Sequence, residues 1–288
     1  MPRRSKPEPL LLLALLAFLA AGPARAWEVS GDATPADFQA FNRRFSSGAY
    51  FYPRHGAAPL GLIGFEIYAD ATYDGDFDDE PFVATAVDGD FTGGFLSVAR
   101  VGARKGLPGG IDLGLSYGQA LGGNVKLVSA EVQYALIKGG VLSPALTVRV
   151  TGSRTTGSEV YDLDQYGAEL LLSKGFTVVT PYIGAGVVRS EGTLDSSLGT
   201  RFEDSETRGV LYGGVTLNLL LPKITVEIEK AEVVQGAVRV GFGFCITQPM
   251  WCLTVFSLIN SFSATSLLVN PFETSTMTSS SRWVRSNF

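Results

Sequence analysis

The chain has 288 residues, of which 45% are hydrophobic and 18% charged, with 34 Gly, 2 Cys, 1 His and a formal net charge of -5. The apolar content excludes a disordered acidic chain, and two cysteines exclude a disulfide-built scaffold. With 28 acidic against 23 basic residues, the basic face that nucleic-acid binding needs is missing.

The first 26 residues read as a secretory signal peptide. Arg3, Arg4 and Lys6 give a positive start, Leu10 to Ala21 is an unbroken apolar run, and Ala24-Arg25-Ala26 places small residues at the cleavage-determining positions. The alternative is a retained anchor, but the run falls short of the roughly 20 residues a spanning helix needs. No Cys follows the cleavage site, so lipoprotein processing is not indicated. Cleavage before Trp27 leaves 19 positive against 27 negative residues, a net of -8, in a compartment beyond the inner membrane where disulfides are permitted.

Residues 27–59 form a leader. Thr34-Pro35-Ala36-Asp37 predicts a helix start, with Thr as cap and Pro at the first helical position. Phe38, Phe41 and Phe45 fall on one helical face beside Arg43 and Arg44. Such a helix would lie against the inner leaflet or close the periplasmic mouth of a downstream barrel. The plainer alternative is a loose periplasmic leader, in which His55 is an ordinary polar residue.

From Leu60 to Phe244 the pattern has period two, which sorts side chains onto opposite faces of strands. Ile63, Phe65, Ile67, Ala69, Ala71 and Tyr73 oppose Glu66, Tyr68, Asp70 and Thr72. Phe95, Ala99, Val101 and Ala103 oppose Arg100 and Arg104. Ile111, Leu113, Leu115 and Tyr117 oppose Asp112 and Ser116. Val128, Ala130, Val132, Tyr134 and Leu136 oppose Ser129, Glu131 and Gln133. Leu146, Val148 and Val150 oppose Arg149. Tyr166, Ala168, Leu170 and Leu172 oppose Glu169. Val179, Pro181, Ile183, Ala185 and Val187 oppose Tyr182. Leu211, Val215, Leu217 and Leu219 oppose Tyr212. Ile224, Val226 and Ile228 oppose Glu227 and Glu229. Val238, Val240, Phe242 and Phe244 oppose Arg239.

Ten strands result, many near the 9–11 residues a tilted strand needs to cross a bilayer. A soluble sandwich also alternates, so the connections are needed to choose. Those after even-numbered strands are short: 105–109, 138–140, 174–175 and 222–223. Those after odd-numbered strands are generally longer, with 74–93 and 191–206 long and acidic, 119–124 and 152–159 moderate, and 231–235 short. Short turns alternating with longer loops mark an outer-membrane barrel with periplasmic turns. Tyr73, Phe95, Tyr117 and Tyr166 fall toward the outer strand ends, and Phe65, Tyr134 and Phe244 toward the other, as two aromatic girdles would. The expected fold is all-β: an antiparallel up-and-down transmembrane barrel of about ten strands over 60–244.

Val238-Arg239-Val240-Gly241-Phe242-Gly243-Phe244 looks like the C-terminal signal strand of bacterial outer-membrane β-barrel proteins, in which Val238, Val240, Phe242 and Phe244 are the barrel-closing signal. Residues 180–187 and 212–218 also resemble strands of small barrels of this class. The resemblance implies insertion by the barrel assembly machinery and contact with outer-membrane lipid and lipopolysaccharide. It carries over no activity and no cofactor.

Residues 245–288 form an atypical tail. If it supplied two strands the barrel would have twelve, but Ser286, Val284 and Arg282 before Phe288 make a poorer closing signal; a frameshifted or read-through tail is a further alternative. Cys245 and Cys252 either form a local disulfide or stay as free thiols.

Little in the chain points to catalysis or metal binding. Gly114-Leu115-Ser116-Tyr117-Gly118 matches the G-x-S-x-G nucleophile elbow, which needs a strand-to-helix turn and a His base; here it lies within an alternating strand. Asp74-Gly75-Asp76-Phe77-Asp78-Asp79-Glu80 has the acidity of a calcium loop without its Gly at position six or Glu at position twelve. The informative set is the polar parity: Glu66, Asp70, Arg100, Arg104, Asp112, Glu131, Arg149, Glu169, Glu227, Glu229 and Arg239. Both signs are present, as expected of charges paired across a narrow lumen, since wide channels need about 16–18 strands. The expectation is a non-enzymatic barrel, either structural or a narrow channel. If it conducts, Arg100, Arg104, Glu131 and Arg149 are the residues to test first. The alternatives are a binding or adhesion module acting through the acidic loops and a soluble secreted barrel for a small ligand.

Overall fold

The computed structural model describes residues 27–75, 81–89, 95–121, 123–219, 222–230 and 234–244. Residues 1–26, read above as a signal peptide, the tail and both cysteines lie outside the described residues.

Ten strands close into one antiparallel barrel: β2 (Phe65–Gly75), β4 (Phe95–Leu107), β5 (Ile111–Ala120), β6 (Lys126–Lys138), β7 (Ala145–Thr156), β8 (Tyr161–Ser173), β9 (Val179–Asp195), β10 (Arg201–Asn218), β11 (Pro222–Lys230) and β12 (Val234–Phe244). Each strand pairs with its neighbours in chain order, and β12 returns to β2 through Arg239 opposite Asp70 and Phe244 opposite Phe65. Closure among ten strands satisfies both edges of every strand and leaves no place for two more, so the twelve-strand alternative is corrected. The ladder begins at Phe65, because Leu60 to Ile63 turn into it, with the Gly64 amide donating to the Gly61 carbonyl (2.9 Å).

The period-two pattern places apolar side chains outward and polar ones inward. Ile67, Leu115, Val132, Leu170, Val187 and Val226 all stand on the exposed face, Leu115 at 66% exposure. This is the reverse of a water-soluble barrel, whose apolar face turns inward. Tyr73, Tyr117 and Tyr166 are outward toward one rim, with Phe65 and Tyr134 toward the other. One register step beyond Tyr166 the outward face turns ionic: Arg154 on β7 pairs with Asp164 on β8 at 2.6 Å.

One predicted loop is a ladder. Residues 191–206, expected as a long acidic loop, continue β9 and β10, whose pairing runs to Asp195 opposite Arg201. The strands have 17 and 18 residues, about seven more than a membrane crossing requires, or ~20 Å of projection. The outward residues of this extension are Arg189, Glu191, Thr193 and Asp195, with Arg201, Glu203, Ser205 and Thr207 opposite. Their polarity hides the strand from any reading that looks for an apolar face. The contrast between the two rims therefore lies mainly in this hairpin and in the connection from Gly75 to Phe95, which carries α2 (Val83–Ala86) and β3 (Val87–Gly89).

The leader contains β1 (Trp27–Val29) and α1 (Pro35–Ala49). α1 starts as expected: Pro35 occupies its first turn, and the Thr34 hydroxyl accepts from the Asp37 amide (3.3 Å). It lies at the rim with the projecting hairpin, and not at the short-turn rim, the mouth that the sequence reading has it close. β1 pairs with β3 (Trp27 opposite Gly89), and the Ser197 amide at the hairpin tip donates to the Gly31 carbonyl.

Candidate functional site: a lumen occupied by the leader

The apolar face of α1 forms a small core with the rim. Phe41 stacks on Phe45 with centroids 5.4 Å apart, and Tyr161 meets Phe38, Phe41 and Phe45 edge-on. Val98, Ala120, Leu127, Leu163 and Leu194 close round them from the strands. These lie on the inward parity, so at this depth the inner wall is apolar where the helix meets it. Polar groups anchor the helix: Arg44 grips Asp74 through two 2.9 Å bonds, Asn42 Nδ2 donates to Asp204 (2.8 Å), and Tyr161 Oη donates to Asn42 Oδ1 (2.9 Å). Hydroxyls of Thr34 and Thr85 hold the Asp37 carboxyl below its ordinary value of 3.8.

The helix ends at Ala49. Tyr50 is extended, and Pro53 bars a helical continuation. Residues 50–64 then run down the inside of the barrel to the other rim. Arg100 Nη2 caps the helix C-terminus, donating to the carbonyls of Ala49 (2.6 Å) and Tyr50 (3.1 Å). Tyr50 Oη donates to Glu169 and shares a 3.1 Å bond with Thr151. Arg149 Nη2 donates to the Phe51 carbonyl (2.8 Å), with its guanidinium 4.8 Å from the Phe51 ring. Tyr52 packs edge-on against Tyr50 and Tyr212. Lower down, Ser173 accepts from the Ala57 amide (2.8 Å), Thr147 donates to the Ala57 carbonyl (2.6 Å), and both oxygens of Asp112 accept from the Leu60 amide (3.1 Å).

Arg54 is the centre of the arrangement. It is fully buried and donates to Asp70, to Glu229 (2.9 Å) and to Thr72 (3.2 Å), with Glu227 at 3.8 Å. Its φ of 49° is in the left-handed region that few non-glycine residues adopt, and its guanidinium is held by one carboxylate of β2 and two of β11. The remaining wall charges interlock. Arg104 meets Glu131 (3.0 Å), Asp112 (3.1 Å) and Glu66 (3.4 Å); Arg149 meets Glu131 and Glu169 (3.1 Å); Arg239 meets Asp70 (2.8 Å) and lies 3.7 Å over the Tyr68 ring.

All eleven residues of the sequence-derived lumen set are buried inside the barrel. That set holds seven carboxylates against four arginines, an imbalance that a closed interior tolerates poorly. The structure corrects it with Arg44 and Arg54 from the leader and Arg208 from β10, which donates to Ser46 Oγ (2.7 Å), against one further acid, Asp74. Sequence reasoning missed these cations: two lie outside the strands, and Arg208 precedes the point where apolar alternation on β10 begins. The surplus of acids was the signal that could have found them.

His55, expected as an ordinary polar residue of a loose leader, instead lies with the leader inside the lumen. It is buried, with Nδ1 2.8 Å from the Gly56 carbonyl. Ser116 stays in the flat ladder of β5, opposite Ser129, and no elbow forms. Asp74 spends both oxygens on Arg44, and 76–80 lie outside the described residues. Phe242 and Val240 extend the β12 ladder against Pro222 and Ile224. Within the lumen, Ser116 Oγ, Ser129 Oγ, Tyr68 Oη, His55 Nε2 and both amide atoms of Gln133 are buried and have no protein hydrogen-bond partner among the described residues. Most lie on the wall from β2 to β6, where ordered water would satisfy them.

A second feature lies at the outer face of the helix. A cleft of about 410 Å³ is lined by Pro35, Phe38, Gln39, Arg201, Phe202 and Asp204.

No protein-family model and no curated protein matches this chain. Solved structures similar to it include outer-membrane β-barrels. They include the N-terminal β-barrel domain of Pseudomonas aeruginosa OprF (15% identity, TM-score 0.29, 64% of this chain and 99% of that one). LpxR from Salmonella typhimurium (11%, 0.36, 61% and 99%) and the KdgM porin solved with oligogalacturonate (12%, 0.32, 64% and 99%) are others. Scores this low carry no functional argument; the barrel assignment rests on the closed ladder itself.

Proposed function

We propose that the protein is a non-enzymatic integral outer-membrane barrel with a structural role, its lumen closed at rest by its own leader. The single observation that carries this is Arg54, buried at mid-lumen and held by Asp70, Glu227 and Glu229 from the wall. A segment placed this way blocks a bore that ten strands already make narrow. The apolar outer band, the tyrosines at its rims and the closed edges support the membrane reading. Lipid and lipopolysaccharide are then its surroundings, and the barrel insertion machinery its assembly partner.

Planar-bilayer recording tests the closed lumen. The purified full-length protein is expected to be silent, and a variant lacking 27–59 to conduct. Steady conductance from the intact chain would overturn closure and restore the narrow-channel reading, with Arg100, Arg104, Glu131 and Arg149 along its path. Membrane fractionation with heat-modifiable gel mobility tests the rest: a chain recovered in the soluble periplasmic fraction is a secreted β protein. The projecting hairpin and the cleft beside Arg201 and Phe202 favour a second reading, a surface binding module, tested by whether cells expressing the full chain gain adhesion that is lost on shortening the hairpin.

A further inference from the structure

We infer that the leader is threaded outward through its own barrel, so that α1 is presented on the cell-surface side of the outer membrane. This inference rests on the outer-membrane reading above and goes beyond it, because a periplasmic leader is the simpler expectation for a segment that precedes the first strand.

The path is fixed at both rims and in between. At the short-turn rim, the chain leaves the lumen through Gly61 and Gly64. There Lys105 Nζ donates to the carbonyls of Leu62 (2.7 Å) and Gly64 (3.2 Å), and the Gly106 amide donates to Gly64 (3.0 Å). The same rim carries Lys138, Lys174 and Lys223 at or next to strand ends. Inside, contacts rise in order from Leu60 at Asp112, through Ala57 at Thr147 and Ser173 and Arg54 at Asp70, to Tyr50 at Thr151. At the far rim, α1 sits against the start of β8 and β10, and β1 joins the connection that follows β2. Trp27 is thus separated from Phe65 by the whole depth of the barrel. Short turns face the periplasm in barrels of this kind and the more elaborate connections face outward. The rim with the 18-residue strand and the helix-bearing connection is the elaborate one. A leader following a cleaved signal peptide reaches that side only by passing through the lumen.

Cysteine labelling on cells tests this. Single cysteines are placed at Ala36→Cys or Ala40→Cys on the exposed side of α1, at Leu198→Cys on the hairpin tip, and at Leu142→Cys in a short turn. The background is the full chain with Cys245→Ser and Cys252→Ser. All four sites are exposed, and heat-modifiable mobility checks that each variant folds. A membrane-impermeant maleimide on intact cells is expected to label the α1 and Leu198 sites, and to label Leu142 only after the outer membrane is permeabilised. Labelling at Leu198 without labelling at either α1 site would overturn the threading while leaving the outer-membrane reading standing. Labelling at Leu142 alone would mean the barrel is inverted, which also overturns it. If every site needs permeabilisation, the outer-membrane reading fails and the inference with it.

Discussion

Arg54 shows how one side chain can decide an interior. Removing it leaves Asp70, Glu227 and Glu229 facing one another without their shared cation, and breaking a buried charged cluster costs about 3–5 kcal/mol. Arg54→Met is therefore expected to lower the temperature at which the protein loses its compact gel mobility. Arg54→Lys should recover little, since an ammonium cannot reproduce a planar fork addressing several acceptors. Gly167 makes a complementary test. A Cβ there would overlap the Tyr50 hydroxyl and crowd Thr151 Oγ1, so Gly167→Val is expected to cost roughly 1–3 kcal/mol by overpacking, read by the same mobility assay. Asp37 gives a pH effect of known sign. Its folded-state value is depressed, so its contribution to the helix cap is present above about pH 4 and is lost as pH falls further. Amide exchange in the first turn of α1 should rise in that window, and Asp37→Asn should remove the dependence.

At the scale of elements, β9 and β10 combine two environments in single strands. Below Arg189 their outward residues are apolar, and above it they are polar; the ladder continues across the boundary because backbone pairing does not depend on side-chain polarity. Replacing 190–206 with a two-residue Asn-Gly turn, which joins the register partners Arg189 and Thr207, is expected to leave insertion intact, measured by fractionation. The same change removes Asp204 from Asn42 and Glu206 from Arg43, and should expose α1 to protease. The ten barrel strands were legible wherever one face was apolar, because an apolar exterior and a polar lumen impose a sharp alternation. The ladder above Arg189 was not legible, because nothing there needs an apolar exterior. The helix was readable from Thr34, Pro35 and three phenylalanines, yet its rim was not. An amphipathic face records that a helix is buried against something without recording what.

For the whole molecule, the closed ladder assigns completion of the barrel to Phe244. A chain ending there is expected to insert and to show the same heat-modifiable mobility as the full chain; failure would mean that residues beyond 244 are needed for assembly. The lumen was partly legible: the wall charges follow from parity, but their balance depends on Arg44 and Arg54, contributed by a segment whose sequence carries no strand pattern. The high glycine content belongs to the same crowding. Gly102 lies beneath Tyr68 and Gly184 beneath Tyr212, positions where any side chain would displace a tyrosine.

The pairing of β12 with β2 has a consequence for the order of assembly. Residues 50–64 run straight into β2, so the last seam of the barrel closes around a strap already attached to one of its edges. The seam can zip only once the strap lies inside, or the strap must afterwards be drawn through a finished ring, past the wall carboxylates. The first route is the less obstructed, and in it the strap meets Glu169, Asp70 and Asp112 as the barrel forms. A bulky domain fused before Trp27 and locked by disulfides would then stall the final zipping step, read as loss of heat-modifiable mobility. The same domain fused without those locks would pass.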